Sequence, residues 1–203
     1  MKNSLKYIAM LSGSVITASA SDSFLGNQIM KSTVTQSFIE IQPATQNHMD
    51  GIWEIFQRTI QSGDTYVYPA NTSKEEALAM WFNETVKTFV AVKDKKVLGT
   101  YIIKSNFPGR GSHIANCSYM VSPEAFGFGL GRTMGEHSIE FARSSGYRGM
   151  QFNIVVSSNI RAISLWKSLG FEVIGVTPDG FNHATLGYVD TCIMYKRLVK
   201  AKL

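Results

Sequence analysis

Cysteine and proline are scarce in this chain of 203 residues, which has 2 and 5 of them respectively. Cys117 and Cys192 lie far apart, and neither belongs to a Cys-x-x-Cys pair or a Cys/His cluster. This spacing argues against a zinc site, and we predict two buried free thiols rather than a disulfide. With 44% hydrophobic and 17% charged residues, the composition is that of a globular chain and excludes general disorder.

The chain also lacks long apolar runs and basic stripes. No segment is apolar for long enough to cross a bilayer, so we predict no stable membrane insertion. The net charge is +5, and four positive residues fall in the last eight positions: Lys196, Arg197, Lys200 and Lys202. A basic terminus is usually solvated, and no aromatic residues alternate with basic ones elsewhere, so nucleic-acid binding is not predicted.

The first 37 residues differ from the remainder. Residues 1–6 are basic, residues 7–20 are mildly apolar, and Ala18-Ser19-Ala20 resembles a signal-peptidase site. Ser12, Gly13 and other polar positions interrupt the apolar stretch. A secretory signal, an organelle presequence and an extension without a targeting role therefore remain open. The Ser/Thr-rich residues 21–37 are typical of a linker, so we predict one domain over residues 38–203.

From residue 38 onward the periodicity predicts strands and helices in the order β-α-α-β-β-β-α-β-α-β-β. The predicted strands span residues 38–41, 88–92, 97–103, 114–121, 150–156, 171–176 and 190–198. Two helices are predicted to begin at Thr45 or Asn47 and at Thr72 or Ser73, and two more span residues 131–144 and 159–169. This order indicates an α/β fold with a mixed central sheet covered by helices.

The segment Gly-Phe-Gly-Leu-Gly-Arg at residues 127–132 lies between a predicted strand and a predicted helix. Glycines let a ligand approach the backbone closely, and a helix N-terminus offers free N–H groups with partial positive charge. The segment therefore predicts a phosphate-binding loop. A P-loop would need Gly-Lys-Ser/Thr, which Arg132-Thr133 does not supply. A dinucleotide fold would need an acidic residue after the next strand, where Ser157 stands. The candidate ligand that remains for this loop is a pyrophosphate carrier such as coenzyme A.

A second segment, residues 159–175, resembles the pattern Asn-x-x-Ala-x-x-Leu-Tyr-x-x-x-Gly-Phe of the GNAT superfamily of N-acetyltransferases. The glycine loop, about 30 residues upstream, resembles the phosphate loop of the same superfamily. The resemblance covers residues 38–198 and includes the order of elements. It implies a GNAT fold with a mostly antiparallel sheet and splayed fourth and fifth strands, and acetyl-CoA as co-substrate.

The resemblance also implies roles for particular residues. Met120 and Val121 would pair with the pantetheine arm and point an amide at the thioester oxygen, and Asn159 would bind the arm or simply cap its helix. The pyrophosphate would be held by the backbone amides of five residues: Phe128, Gly129, Leu130, Gly131 and Arg132.

Two residues depart from the family pattern. Phe126 stands where an arginine or glutamine is usual, so one side chain is missing from the phosphate loop. Trp166 replaces the usual tyrosine, and its indole cannot donate a proton to the departing thiolate. A thiol with a pKa of about 8.5 can leave without a dedicated acid. We therefore expect Trp166 to serve core packing.

Four further segments, including residues 62–66 and 98–106, resemble the fungal N-acetyltransferases that act on proline analogues such as azetidine-2-carboxylate. This resemblance implies that Asn116 and Asn153 are the catalytic and substrate-binding asparagines and that Tyr66 closes the acceptor pocket. Both asparagines fall in apolar strands, where an unpaired amide is costly, which independently suggests a ligand or a polar network. Ordinary buried hydrogen bonding is the alternative interpretation.

Three functions remain open from the sequence. The first is acetylation of a small amino or imino acid, the second acetylation of an antibiotic or protein amine, and the third acyl-CoA binding without turnover. His113, His183, Glu124 and Asp190 are candidate bases by position only. A small-molecule amine is the expected partner, and a homodimer is left open. We expect a cytoplasmic location, with an organellar or exported form as the alternative.

Overall fold

A computed structural model describes residues 38–199, and within that range it contains seven strands and four α-helices. The predictions for residues 1–37, including the signal-like segment and the linker, lie outside the described residues, as do those for Lys200 and Lys202. The strands are β1 (Glu40–Pro43), β2 (Lys87–Lys93), β3 (Lys96–Ser105), β4 (Ile114–Val121), β5 (Gly149–Val156), β6 (Glu172–His183) and β7 (Gly187–Arg197). The helices are α1 (Met49–Ser62), α2 (Lys74–Trp81), α3 (Leu130–Ser144) and α4 (Ile160–Ser168).

All seven strands form one mixed sheet in the order β1-β2-β3-β4-β5-β7-β6. Every neighbouring pair is antiparallel except β4 and β5, which are parallel. The predicted α/β class and the predicted order of elements are therefore confirmed.

Each face of the sheet carries its own apolar core. On one face α1 and α2 contribute Ile52, Phe56 and Trp81, and the Trp81 indole N–H donates to the Thr100 hydroxyl at 3.1 Å. On the other face α3 and α4 pack over a cluster that includes Met134. Because side chains alternate along a strand, the central strands β2, β3 and β4 supply both cores. The sheet is thus covered on both sides and rigidly positions whatever lies at its strand ends.

The last two strands are longer than predicted. The sequence predicts strands over residues 171–176 and 190–198, whereas β6 and β7 form one long hairpin through Glu172–His183 and Gly187–Arg197. The register of the hairpin shifts between Thr177 and Phe181, where Pro178 and Gly180 stand and Asp179 has a φ of 52°. A bulge of this kind interrupts a ladder without ending the strand.

Smaller corrections concern β1 and α2. The first strand begins at Glu40 and includes Pro43, which a strand at the edge of the sheet tolerates. On α2, Trp81 is buried, whereas Leu78 and the C-cap residue Phe82 are only half-buried.

Both cysteines are free, as predicted. Cys117 is buried and Cys192 is half-buried, which corrects the expectation that both would be buried. Burial raises the pKa of the Cys117 thiol to about 12, so it stays protonated and is a poor nucleophile. Within residues 38–199 no helix has the length and apolarity needed to cross a membrane.

Candidate functional site

A gap opens between β4 and β5. The two strands pair only at Ile114 with Gly149 and at Ala115 with Met150, and beyond those residues they diverge. The divergence leaves a cavity of about 1200 Å³. Both strands line it, together with the loop before α3, the start of α4, the α1–α2 loop and the β6–β7 turn. The predicted splay of the fourth and fifth strands is confirmed.

The backbone of β4 presents unpaired groups to this gap. Ser122 donates its N–H to the Leu98 carbonyl at 2.8 Å, so the even-numbered residues of β4 turn their backbone groups toward β3. The backbone of Met120 therefore faces β3, and its side chain is buried. Tyr119 and Val121 turn their N–H and C=O groups toward the gap. Of the two residues predicted to contact pantetheine, Val121 has the available amide.

Tyr119 was not identified from the sequence, although the alternation along a strand would have placed it on the same edge as Val121. Its carbonyl accepts a hydrogen bond from the Tyr66 hydroxyl at 2.7 Å, and its N–H remains directed at the gap. Tyr66 stacks on Tyr68 with ring centroids 5.8 Å apart. Burial raises the pKa of Tyr66, so its phenol stays protonated and cannot act as a base. Tyr66 thus lines the cavity and is held against the backbone of β4.

The glycine loop lies at one end of the cavity, which we call the loop end. Gly127 and Gly129 have φ angles of 87° and 72°, a conformation that favours glycine. A Cβ on either residue would meet no protein atom within 4 Å, so the space beside the loop is open.

The amides of the loop are only partly engaged. Arg132 donates its N–H to the Gly129 carbonyl at 3.0 Å, and Phe128 donates to the Ala125 carbonyl at 3.4 Å. Gly129 is the N-cap of α3, and Leu130 and Gly131 are its first two residues, where backbone N–H groups have no hydrogen-bond partner within the helix. Three of the five predicted amides are therefore free to bind a phosphate.

The start of α4 faces the loop end. The Asn159 side-chain oxygen accepts from the Ala162 N–H at 3.0 Å, so Asn159 caps the helix while it also lines the cavity. Arg161 lies with its guanidinium carbon 5.4 Å from the centre of the Phe126 ring. A cation thus stands beside the position where the family's usual polar side chain is missing.

Trp166 packs in the core beneath the cavity. It is buried at 8% exposure, and its ring centre lies 4.8 Å from those of Tyr119 and Phe152. These contacts account for an indole at this position by packing alone.

Asn116 sits where β4 and β5 separate, at the end of the cavity that we call the acceptor end. It follows the last parallel pair, and its side-chain N–H donates to the Gln151 carbonyl on β5 at 2.9 Å. The second N–H and the amide oxygen have no hydrogen-bond partner among residues 38–199. Asn116 thus ties the strands together and retains groups for a ligand.

Asn153 lies on the same face and belongs to a chain of amides. Its oxygen accepts from Gln151 Nε2 at 2.9 Å, and its Nδ2 donates to Asn106 Oδ1 at 2.7 Å. The side chain is exposed to the cavity. The expectation of an amide enclosed by apolar strands is therefore wrong for Asn153, because it points away from the α3/α4 core. Both asparagines make hydrogen bonds within the protein, as the alternative interpretation of a structural role expects.

The four candidate bases differ in whether they reach the cavity. His183 lines the cavity, whereas His113, Glu124 and Asp190 do not. Glu124 accepts a hydrogen bond from Lys96 at 2.5 Å, which lowers the pKa of its carboxyl. A carboxylate held in an ion pair away from the gap is poorly placed to accept a proton from an amine there.

Comparison with known proteins agrees with this geometry. The chain matches the model of the Acetyltransferase (GNAT) family over residues 49–171. It is 32% identical over 151 residues to the N-acetyltransferase aca1 of Schizosaccharomyces pombe, an alignment covering 66% of this chain and 72% of that protein. A GCN5-related N-acetyltransferase from Kribbella flavida superimposes with a TM-score of 0.76 at 37% identity, covering 78% of this chain and 97% of the other.

A more distant structure shares the fold. The phosphinothricin acetyltransferase of Sinorhizobium meliloti, solved in complex with acetyl-CoA, is 20% identical with a TM-score of 0.71, and the superposition covers 81% of this chain and 93% of the other.

Proposed function

The chain belongs to the GNAT family of acetyl-CoA-dependent acetyltransferases, and on that premise we propose that it acetylates the amine of a small amino or imino acid. The observation that carries this proposal is the position of Asn116 and Asn153. They lie on one face of two strands, at the acceptor end of a cavity whose other end is the glycine loop. A proline-like acceptor presents a carboxylate and a ring nitrogen close together, and amides can donate to the first and accept from the second.

The arrangement supports direct attack by the amine. Bound acetyl-CoA supplies an activated acyl carbonyl in the gap. The N–H groups of Tyr119 and Val121 face the gap, and they would stabilise the negative charge that the thioester oxygen gains, since preorganised amides stabilise such charge. Asn116 and Asn153 would orient the neutral amine, coenzyme A would leave as the thiolate, and the proton lost from nitrogen would pass to solvent, so positioning replaces a dedicated acid or base. Of the four candidate bases, only His183 lines the cavity, and its Nδ1 already accepts hydrogen bonds from the Thr185 and Leu186 N–H groups.

The charges lining the cavity disfavour the alternative acceptors. Antibiotic and protein amines are commonly cationic, and binding them calls for acidic side chains. Among residues 38–199 the cavity is lined by one carboxylate, Asp64, whose oxygen accepts from the hydroxyls of Ser62 and Thr65. Several cations line the same cavity, among them Arg58 and Lys104. An anionic acceptor is favoured by this balance.

An acceptor screen tests the proposal. The purified full chain is incubated with acetyl-CoA and azetidine-2-carboxylate, proline, an aminoglycoside or a peptide with a free N-terminus, and thiol release and acetylated product are measured. We expect turnover of an amino or imino acid with a kcat/KM at least tenfold above that of the aminoglycoside and the peptide. Preferred acetylation of either cationic acceptor would contradict the proposal.

We also propose that the enzyme works in a compartment that contains acetyl-CoA. The supporting argument is chemical, since the reaction needs this co-substrate. Intact-mass measurement on native protein tests it, because a chain that begins at Ser21 and is recovered from an extracytoplasmic fraction would contradict it.

A further inference from the structure

Lys104 lies at the acceptor end beside Asn116. The register of β3 and β4 places the two residues directly opposite each other. Side chains of opposed residues share a face of the sheet, with Cβ atoms about 5 Å apart. The flexible stem of lysine lets its ammonium reach any ligand that touches the Asn116 amide.

The other cations that line the cavity are already engaged. Arg58 pairs with Glu54 at 2.8 Å, Arg132 donates to Ser168 at 2.7 Å, and Arg161 stacks on the Phe126 ring. Arg132 and Arg161 also belong to the loop end, where the pyrophosphate of coenzyme A is expected to bind.

Lys104 differs from these residues. It lines the cavity and is exposed, and no carboxylate of residues 38–199 lies within 4.0 Å of its ammonium. A lysine at this position therefore adds an uncompensated positive charge to the acceptor end.

The amide groups next to Lys104 are donors. Asn116 uses one N–H on the Gln151 carbonyl and keeps a second. Asn153 likewise uses one N–H on Asn106 and keeps the other. A group that meets an ammonium and two amide N–H donors is best satisfied as an anion that accepts several hydrogen bonds. Among groups attached next to an amine in a small metabolite, a carboxylate has this chemistry.

We infer that Lys104, with Asn116 and Asn153, forms a carboxylate-binding subsite that selects acceptors carrying a free carboxylate beside the amine. This inference rests on the proposed function. The ammonium attracts and fixes the carboxylate, and the fixed carboxylate turns the neighbouring nitrogen toward the gap. Lys104 therefore determines specificity and takes no part in proton transfer.

The test compares two acceptors that differ only in charge. Azetidine-2-carboxylate and azetidine-2-carboxamide are assayed with the wild type, Lys104→Met and Lys104→Arg. For the carboxylate we expect Lys104→Met to lower kcat/KM about tenfold, mainly through KM, because one charge-assisted contact is lost. For the carboxamide we expect a change within about twofold, and Lys104→Arg should restore part of the preference.

Lys87→Met is the matched control. Lys87→Met changes the net charge by the same amount as Lys104→Met. Lys87 lies on the neighbouring strand β2, is exposed and does not line the cavity, so its replacement leaves the acceptor end unaltered. We expect it to leave both acceptors unchanged. Added salt should weaken turnover of the carboxylate in the wild type more than in Lys104→Met.

The outcomes separate the two claims. If the wild type prefers the carboxylate and Lys104→Met does not reduce that preference, the subsite is wrong while the proposed function stands. An equal loss for both acceptors also overturns the subsite, because it indicates damage to the fold or the mechanism. If the wild type acetylates no amino-acid acceptor but binds acetyl-CoA, the proposed function and the subsite both fall.

Discussion

The two ends of the cavity are built from different parts of the polypeptide. At the loop end, backbone N–H groups of consecutive residues in one glycine-rich segment face open space. At the acceptor end, side chains from β4, from β5 and from Asn106 after β3 are joined by hydrogen bonds, and Lys104 of β3 lies opposite Asn116. Backbone donors suit a ligand that is the same in every family member, whereas side chains can change and so set the acceptor. If this division is correct, substitutions at each end should affect one substrate only.

The largest effect is expected at the asparagines. We predict that Asn153→Ala lowers kcat/KM for the acceptor by roughly tenfold to a hundredfold, because a hydrogen bond to a charged group is lost. Affinity for coenzyme A, measured by calorimetry, should not change. Asn116→Ala should have a similar effect on turnover and should also reduce stability, since it removes the bond to the Gln151 carbonyl across the strand separation.

Gln151→Leu provides a comparison for Asn153. It removes the amide that donates to the Asn153 oxygen but leaves Asn153 itself. We expect a smaller loss of turnover than in Asn153→Ala. Wild-type turnover in both asparagine variants would mean that these residues are structural, and the proposed acceptor would lose its support.

The next effect is expected at the loop end. We predict that Gly129→Ala weakens coenzyme A binding about tenfold, because the added methyl group enters the open space beside the loop amides. The control is Gly146→Ala, since Gly146 has a φ of 84° and also no protein atom within 4 Å of a Cβ, but lies after α3 and away from the cavity.

Both glycine variants place alanine in a left-handed conformation and should lose about 1 kcal/mol of stability. Thermal unfolding checks that the two variants lose the same amount of stability. Equal coenzyme A affinity in Gly129→Ala and Gly146→Ala would remove the loop from the cofactor site.

A smaller effect is expected at Tyr66. Tyr66→Phe removes the hydrogen bond to the Tyr119 carbonyl and should raise the acceptor KM a few-fold, roughly the worth of one neutral hydrogen bond. Because burial raises the pKa of Tyr66, its phenol does not ionise in the working range. The pH–rate profile of the variant should therefore keep every ionisation of the wild type, and the loss of one would assign Tyr66 a role in proton transfer.

The smallest catalytic effect is expected at Trp166. Trp166→Phe shortens a side chain packed against Tyr119 and Phe152, so stability should fall. The shape of the pH–rate profile should not change, since indole has no proton to donate in this range. Disappearance of an alkaline limb in this variant would contradict departure of the thiolate without a protein acid.

The loop end could be predicted from the sequence because its residues are contiguous. Glycines at positions 127 and 129 are compatible with the positive φ angles that the loop adopts, and a helix directly after them indicates free backbone amides. The acceptor end could be predicted only in part. Asn116 and Asn153 came from a family resemblance, whereas their hydrogen bonds to Gln151 and Asn106 depend on how β4 and β5 diverge.

Lys104 illustrates the same limit. A single lysine near the end of a strand is ordinary in a sequence, and only the register with Asn116 brings it to the cavity. The long β6–β7 hairpin was missed for a related reason, because Pro178 and Gly180 signal a turn locally while pairing with β7 continues beyond them. Local signals predicted the elements well, and contacts between distant segments decided the rest.

The most direct test of the division between the two ends is a crossed kinetic measurement. KM for acetyl-CoA and KM for the best acceptor are determined in the wild type, Gly129→Ala, Asn153→Ala and the double variant. We predict that Gly129→Ala raises only the first constant and Asn153→Ala only the second, and that the double variant shows both changes in additive free energies within about 0.5 kcal/mol. If either single variant raises both constants equally, the cavity is not divided into a cofactor end and an acceptor end.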